Sequence, residues 1–209
     1  MAKAFAELAF TPEVRKIQER QGSAKINDRF LADEVTGGNL LGPQETQFIT
    51  MRDGFYQATV SETGWPYVQF RGGPRGFLKV LDEKTIAYAD FRGNRQYISM
   101  GNLSSDDRIS MILVDYPNSA RLKILGRARM IDASDDPDLI ERLHDSSYRG
   151  RPERAVLVEI EAFDWNCPQH LPVRLTIEEM QPILAPLQDQ MAQLKVENEQ
   201  LKAALASKA

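Results

Sequence analysis

The sequence predicts a mainly β protein with peripheral helices, an α+β chain whose antiparallel strands close into a barrel, followed by a separate C-terminal helix. Three observations carry this prediction. Between residues 55 and 163 apolar residues recur with period two, in short segments. Tight turns join most of these segments, which imposes antiparallel pairing. From Leu184 onward the apolar period becomes that of a heptad.

The first expected element is a helix. Thr11 suits the N-cap, Pro12 the first helical position, and VRKIQERQ runs on to Gly22. Residues 32–43 read as a loop, and PQETQFITMRD (43–53) as a second amphipathic helix with Phe48 and Ile49 inward. FYQATVS and PYVQF then form a hairpin with Thr63-Gly64 in its turn. GFLKVL and TIAYADF form another, and a helix is expected from Asn94 to Leu103. DRISMILVDY and RLKILGRARMID meet at Pro117-Asn118. DDPDLIERLHD (135–145) is a short helix that would hold His144 structurally, and RAVLVEIEAF (154–163) is the last strand. Twisted antiparallel strands buried on both faces tend to close into a barrel.

In the tail, Leu187, Leu194 and Leu201 form one seam, with Leu184, Met191, Asn198 and Leu205 three residues earlier in each heptad. One Asn at an a position, flanked by Glu and Lys, favours a parallel two-stranded coiled coil; a lone amphipathic helix packed on the barrel is the alternative. Pro182 and Pro186 place the expected start near residue 187, and the expected domains are 1–175 and 176–209.

The formal net charge of −4 points away from nucleic acid or an anionic membrane as the general partner. Locally the balance reverses: Gln69 to Gly101 holds six Lys/Arg against three acids, which suits a small anion. Cys167 is the sole cysteine, so no intramolecular disulfide is possible. MAKAFAELAFTPEVRK has no sustained apolar stretch, and no apolar run approaches the ~20 residues of a membrane span. A cytoplasmic protein is expected. With one Cys and two His, the C-x-x-H spacing of Cys167 and His170 does not predict a closed zinc site, and Cys167 is read as a spectator thiol. P-loop and Rossmann glycine motifs are absent.

Three stretches could carry chemistry. In YADFRGNRQYISMGNL (88–103), a helix starting at Asn94 would aim unpaired N–H groups past a strand end, beside Arg95 and a turn tightened by Gly93. That arrangement suits a phosphate monoester; an ordinary capped helix with solvated arginines is the alternative. In WPYVQFRGGPRGFLK (65–79), Tyr67, Gln69 and Arg71 share a strand face, and Gly72-Gly73 either bare the backbone to a flat ligand or form a bulge. In FDWNCPQHLPVR (163–174), Trp165 and Arg174 offer an aromatic wall and a cation, or a packed Trp and a surface Arg.

Taken together, these stretches resemble the FMN-binding split-barrel family related to pyridoxamine 5′-phosphate oxidase, in the branch marked by QxRGGPxGFLKVLD, FADFRGNRQYISxGNL and FDWNCPQHIPxR. The resemblance spans residues 11–175. It implies an antiparallel split β-barrel, a homodimer, and FMN in two clefts at the subunit interface. Gln69, Arg71, Gly72 and Gly73 would line one side of the flavin, with Ala89, Asp90, Asn94, Arg95 and Gln96 around the ribityl chain and phosphate. Arg121 would reach back to the cofactor, and Trp165 and Arg174 would close the site from the other subunit. His170 is the candidate catalytic proton donor, no metal is implied, and the partner is a small electron donor or acceptor such as a nicotinamide. An FMN-dependent oxidoreductase is the leading expectation; a flavin- or haem-holding sensor or carrier and a deazaflavin-dependent reductase are the alternatives on this fold. The sequence departs from the oxidase proper at Pro74, where that enzyme has Lys, and at Asn94-Arg95-Gln96, where it has Ser-Arg-Lys. It also offers only His170 in place of a late Arg-x-His pair, so these departures count against oxidation of a B6 vitamer.

Overall fold

Alternation along the strands sets which side chains face inward. Phe55, Gln57 and Thr59 are buried while the intervening Tyr56 is exposed. The computed structural model describes residues 1–166 and 169–207, and Cys167 lies outside them. The chain divides into two compact units: Met1–Asp115 with Ser119–Gln169, and Tyr116–Asn118 with the chain from His170 onward.

In the first unit, helices α1 (Lys3–Ala9), α2 (Pro12–Arg20), α3 (Ala24–Asp28) and α4 (Pro43–Thr50) precede strands β1 (Gly54–Val60), β2 (Pro66–Gly72), β3 (Lys79–Val80) and β4 (Thr85–Phe91). Then come α5 (Ile98–Ser105), β5 (Arg108–Asp115), β6 (Ala120–Asp132), α6 (Pro137–Leu143) and β7 (Pro152–Trp165). The seven strands form one antiparallel sheet in the order β2-β1-β5-β6-β7-β4-β3. This is the fold class that the sequence predicts.

Three strands separate β1 from β4 in that order, yet their side chains meet inside. Phe55 stands edge-on to Tyr88 at 5.2 Å and stacks on Phe77 at 5.6 Å. Tyr88 Oη donates to Gln57 Oε1 at 2.6 Å. Burial raises the Tyr88 phenol well above its ordinary pKa, so it remains a donor. The sheet is therefore curled around one core, filled by Leu78, Ile86, Met111, Leu113, Leu122, Ile124, Val158 and Ile160. Curling needs a bend in the long central strands. The β6–β7 register shifts between Leu125 and Gly126, and a Cβ on Gly126 would lie 2.4 Å from the Glu159 carbonyl oxygen. Helix α4 packs on the core through Ile49, while Glu45 Oε1 accepts from Trp165 Nε1 at 2.7 Å and Phe48 meets the Trp165 ring edge-on.

The expected Thr11 cap and Pro12 start are present, as is the hairpin turn, where Gly64 takes φ 86°. Four local expectations differ. The third strand shrinks to Lys79–Val80, because the turn at Pro74–Gly76 delivers Phe77 and Leu78 to the core before pairing begins. The helix after β4 starts at Ile98 and not at Asn94. Helices α1 and α3 lie where no element was expected. In the second unit, α7 (Ile177–Ala206) starts ten residues before the expected position. Thr176 and Glu179 form a reciprocal capping box that starts it ahead of both prolines.

Two substitutions test the closure. Gly126→Ala forces its Cβ onto backbone and should cost about 1–3 kcal/mol in urea unfolding. Tyr88→Phe strips the remaining hydrogen bond from a buried amide whose Nε2 already lacks a partner. It should also lower stability by about 1–3 kcal/mol.

Candidate functional site

The inner face of β2 presents Tyr67, Gln69 and Arg71 at every second position, as expected. They face the end of β4, the start of β7 and the 92–97 loop across a cavity of about 210 Å³. At its base Asp90 lies opposite Arg154 in the β4–β7 register. The Asp90 carboxylate is 2.7 Å from Arg154 Nη1 and 2.8 Å from Arg71 Nη1, so one buried anion holds two guanidinium groups. Arg154 is further held by Glu153 at 3.3 Å and lies against the Tyr97 ring.

The loop leading to α5 gets its shape from side chains that sequence reading assigned to a helix. Asn94 Oδ1 accepts the Gln96 backbone N–H at 3.1 Å, and Arg95 and Tyr97 take φ values of 64° and 53°. Non-glycine residues in this region carry strain of about 1–3 kcal/mol each. Gly93, expected to tighten the turn, has no positive φ and no close neighbour at its Cβ position; the turning is done by Arg95 and Tyr97. Ser99, buried in the first turn of α5, donates to Gln69 Oε1 at 3.0 Å. That bond fixes the amide so that its N–H donors remain available. Arg71 Nε is buried without a hydrogen-bond partner.

The charged lining comprises Arg71, Arg95, Arg154, Asp90 and Glu153, an excess of one positive charge. Arg71 and Arg154 are committed to the acids, whereas Arg95 has no ion-pair partner among the described residues. An unpaired cation, an oriented amide and an unsatisfied guanidinium N–H form a donor set that fits an acceptor-rich anionic ligand.

Of the residues singled out from the sequence, the cavity brings together Tyr67, Gln69, Arg71, Asp90, Gly93, Asn94, Arg95 and Gln96. The others lie elsewhere. Gly72 and Gly73 make room for Phe70 and Phe77, whose ring atoms lie 2.9 and 2.7 Å from the respective Cβ positions. The Gly73 N–H is given to the Asp53 carbonyl. Ala89 points the opposite way from Asp90, into a small cluster with Leu139, Leu143 and Ala155. Trp165 lies at the far end of β7 from Arg154. Arg121 is near the matching end of β6, where Asn166, its amide oxygen turned to the guanidinium, accepts from Nε at 2.7 Å. His170 and Arg174 belong to the second unit, His170 at φ 63° and Arg174 stacked over Tyr116. Ser99, Glu153 and Arg154 were missed. Arg154 opens an apolar run, and only the β4–β7 register reveals that it faces Asp90.

Among the described residues, no helix is long and apolar enough to cross a membrane. No curated protein matches the chain in sequence. The chain is similar in structure to HupZ of Group A Streptococcus, with 16% identity, a TM-score of 0.50, and coverage of 65% of this chain and 100% of that one. General Stress Protein 26 of Bacillus anthracis aligns at 12% identity and TM-score 0.45 over 57% of this chain and 88% of its own. An FMN-binding protein from Syntrophomonas wolfei aligns at 15% and 0.45 over 72% and 96%. At such identities the HupZ likeness speaks for the fold alone. The family itself comes from sequence: the pyridoxamine 5′-phosphate oxidase family model matches residues 41–165, from the approach to α4 through the end of β7, and the chain belongs to that family.

Proposed function

We propose that the chain binds FMN in this cavity and acts, as a homodimer, as an oxidoreductase for a small-molecule electron donor or acceptor. The observation that carries the reading is Arg95, a cation with no ion-pair partner among the described residues, on a strained loop beside an oriented amide. Arg95 would hold the phosphate. Gln69, oriented by Ser99, and Arg71 would donate to acceptor atoms of the ligand, where their dipoles and charge favour the anionic form of a reduced ring. Bound FMN supplies hydride and electron transfer, and the protein supplies position and electrostatics. The family name does not fix the substrate: Pro74 and the Asn94-Arg95-Gln96 run depart from the oxidase proper, so oxidation of a B6 vitamer is not part of the proposal.

A second copy is part of the reading because one chain builds too little of a site. The cavity, about 210 Å³, is smaller than the 300–1,000 Å³ usual for cofactor sites. Edge strand β2 also exposes Val68 and Phe70 on its outer face, beside exposed Trp65 and Tyr56, an apolar patch suited to association.

The test is a visible spectrum of the purified protein followed by FMN titration. Yellow protein that releases FMN on denaturation is the expected result, and failure to take up added FMN overturns the assignment. Arg95→Ala should weaken FMN binding about 10- to 100-fold, the worth of one charge-assisted hydrogen bond, without lowering Tm. Ser99→Ala, which only frees the Gln69 amide to turn, should weaken it by less, about 3- to 10-fold. Oxidation of a reduced nicotinamide, followed by its absorbance, tests the redox half of the proposal.

A further inference from the structure

Helix α7 is thirty residues long, and none of its side chains is buried. Leu187, Met191, Leu194, Leu201 and Leu205 are each more than half exposed. Aligned on one narrow seam, they leave an apolar stripe interrupted only by Asn198, on a helix whose other faces are mostly Gln, Glu, Lys and Ala, with Ile183 and Val196 the exposed apolar residues off the seam. Pro182 and Pro186 fall at outer positions of the heptad, f and c, so neither interrupts the stripe.

We infer that α7 pairs with α7 of a second copy of this chain, parallel and in register, with Asn198 facing Asn198. Two features select this occupant over a different protein or an antiparallel copy. The first is Asn198, the polar residue at an a position. In a parallel dimer a faces a, and the two amides hydrogen-bond to each other. In an antiparallel pair a faces d, which would press Asn198 against a leucine and leave a buried amide unpaired. The second is charge. Glu197 occupies a g position and Lys202 the next e position, the two that meet across a parallel pair. Among the described residues of the single chain these groups make exposed local bonds, Gln193 to Glu197 at 3.2 Å and Lys202 to Glu199 at 2.8 Å. Such contacts contribute little and are readily exchanged. A coil of about three heptads is marginal when its helices meet by diffusion alone. Any association elsewhere in the chain raises the effective concentration of one tail about the other towards the millimolar range.

The experiment uses the full chain with Cys167→Ser, so that an introduced thiol is the only one. Leu201→Cys places it at a d position, and Ala203→Cys at the outward f position two residues on. Under mild oxidation the Leu201→Cys protein should form disulfide-linked dimers at least tenfold faster. Glu197→Lys in that background should slow the reaction, and adding Lys202→Glu should restore it. Equal rates at the two thiol positions, or no effect of the charge reversal and its rescue, overturn the inference whatever the state of the barrels. Flavin content measured on the same proteins reports on the cavity separately.

Discussion

The carboxylate of Asp90 is the constraint on which site and barrel jointly depend. It sits at the end of β4 and pairs with Arg71 from β2 and Arg154 from β7. In the sheet β4 adjoins β7, but β2 is at the opposite edge. The Asp90–Arg71 pair is therefore a contact that exists only because the sheet curls, made in the same interior as Tyr88–Gln57. A buried ion pair adds little net stability over well-packed apolar groups, whereas removing one member leaves an uncompensated charge and costs about 3–5 kcal/mol. Its consequence here is positional: it fixes two guanidinium groups and, with them, one wall of the cavity.

That commitment gives Arg95 its significance. With Arg71 and Arg154 balanced by Asp90 and Glu153, the excess charge of the cavity resides on a side chain carried by a loop and not by a strand. The loop is held by an Asn94 turn and by Tyr97 lying against Arg154, so the strained backbone at Arg95 and Tyr97 is braced on the same ion-pair cluster. Strain of this kind persists only where surrounding contacts over-determine it. The loop that carries Arg95 thus depends on the Asp90 cluster beneath it.

This dependence also explains what the sequence could and could not disclose. Period-two burial and turn residues made the seven strands legible, and Tyr67, Gln69 and Arg71 share a face because alternation requires it. The helix expected at Asn94 was wrong for a local reason: Asn94 caps the N–H of Gln96 in a turn, an option that competes with helix initiation for the same donors. Arg154 and Ser99 could not be found by local pattern, since their roles come from register and from packing of α5 against β1 and β2 partners such as Thr59 and Gln69. Glycine misled for a related reason. Gly72 and Gly73 look like a bared backbone, but they are small because Phe70 and Phe77 occupy the space.

The two proposed associations differ in what they specify. The patch around Val68 and Phe70 is apolar, and burying it would supply driving force with little discrimination of partner. The seam of α7 gives up some of that driving force by placing Asn198 among leucines, and gains a geometry in which a parallel helix with an amide at the facing a position, as a second copy has, satisfies it. Each pairing brings the same surface of two copies together, so each is two-fold symmetric and closed. One pair of copies satisfies both, with no surface left for a third, where the two two-fold axes coincide. In the proposed tail pairing, the polar interruption at Asn198 would favour two strands over three or four, a number that suits the proposed interface site.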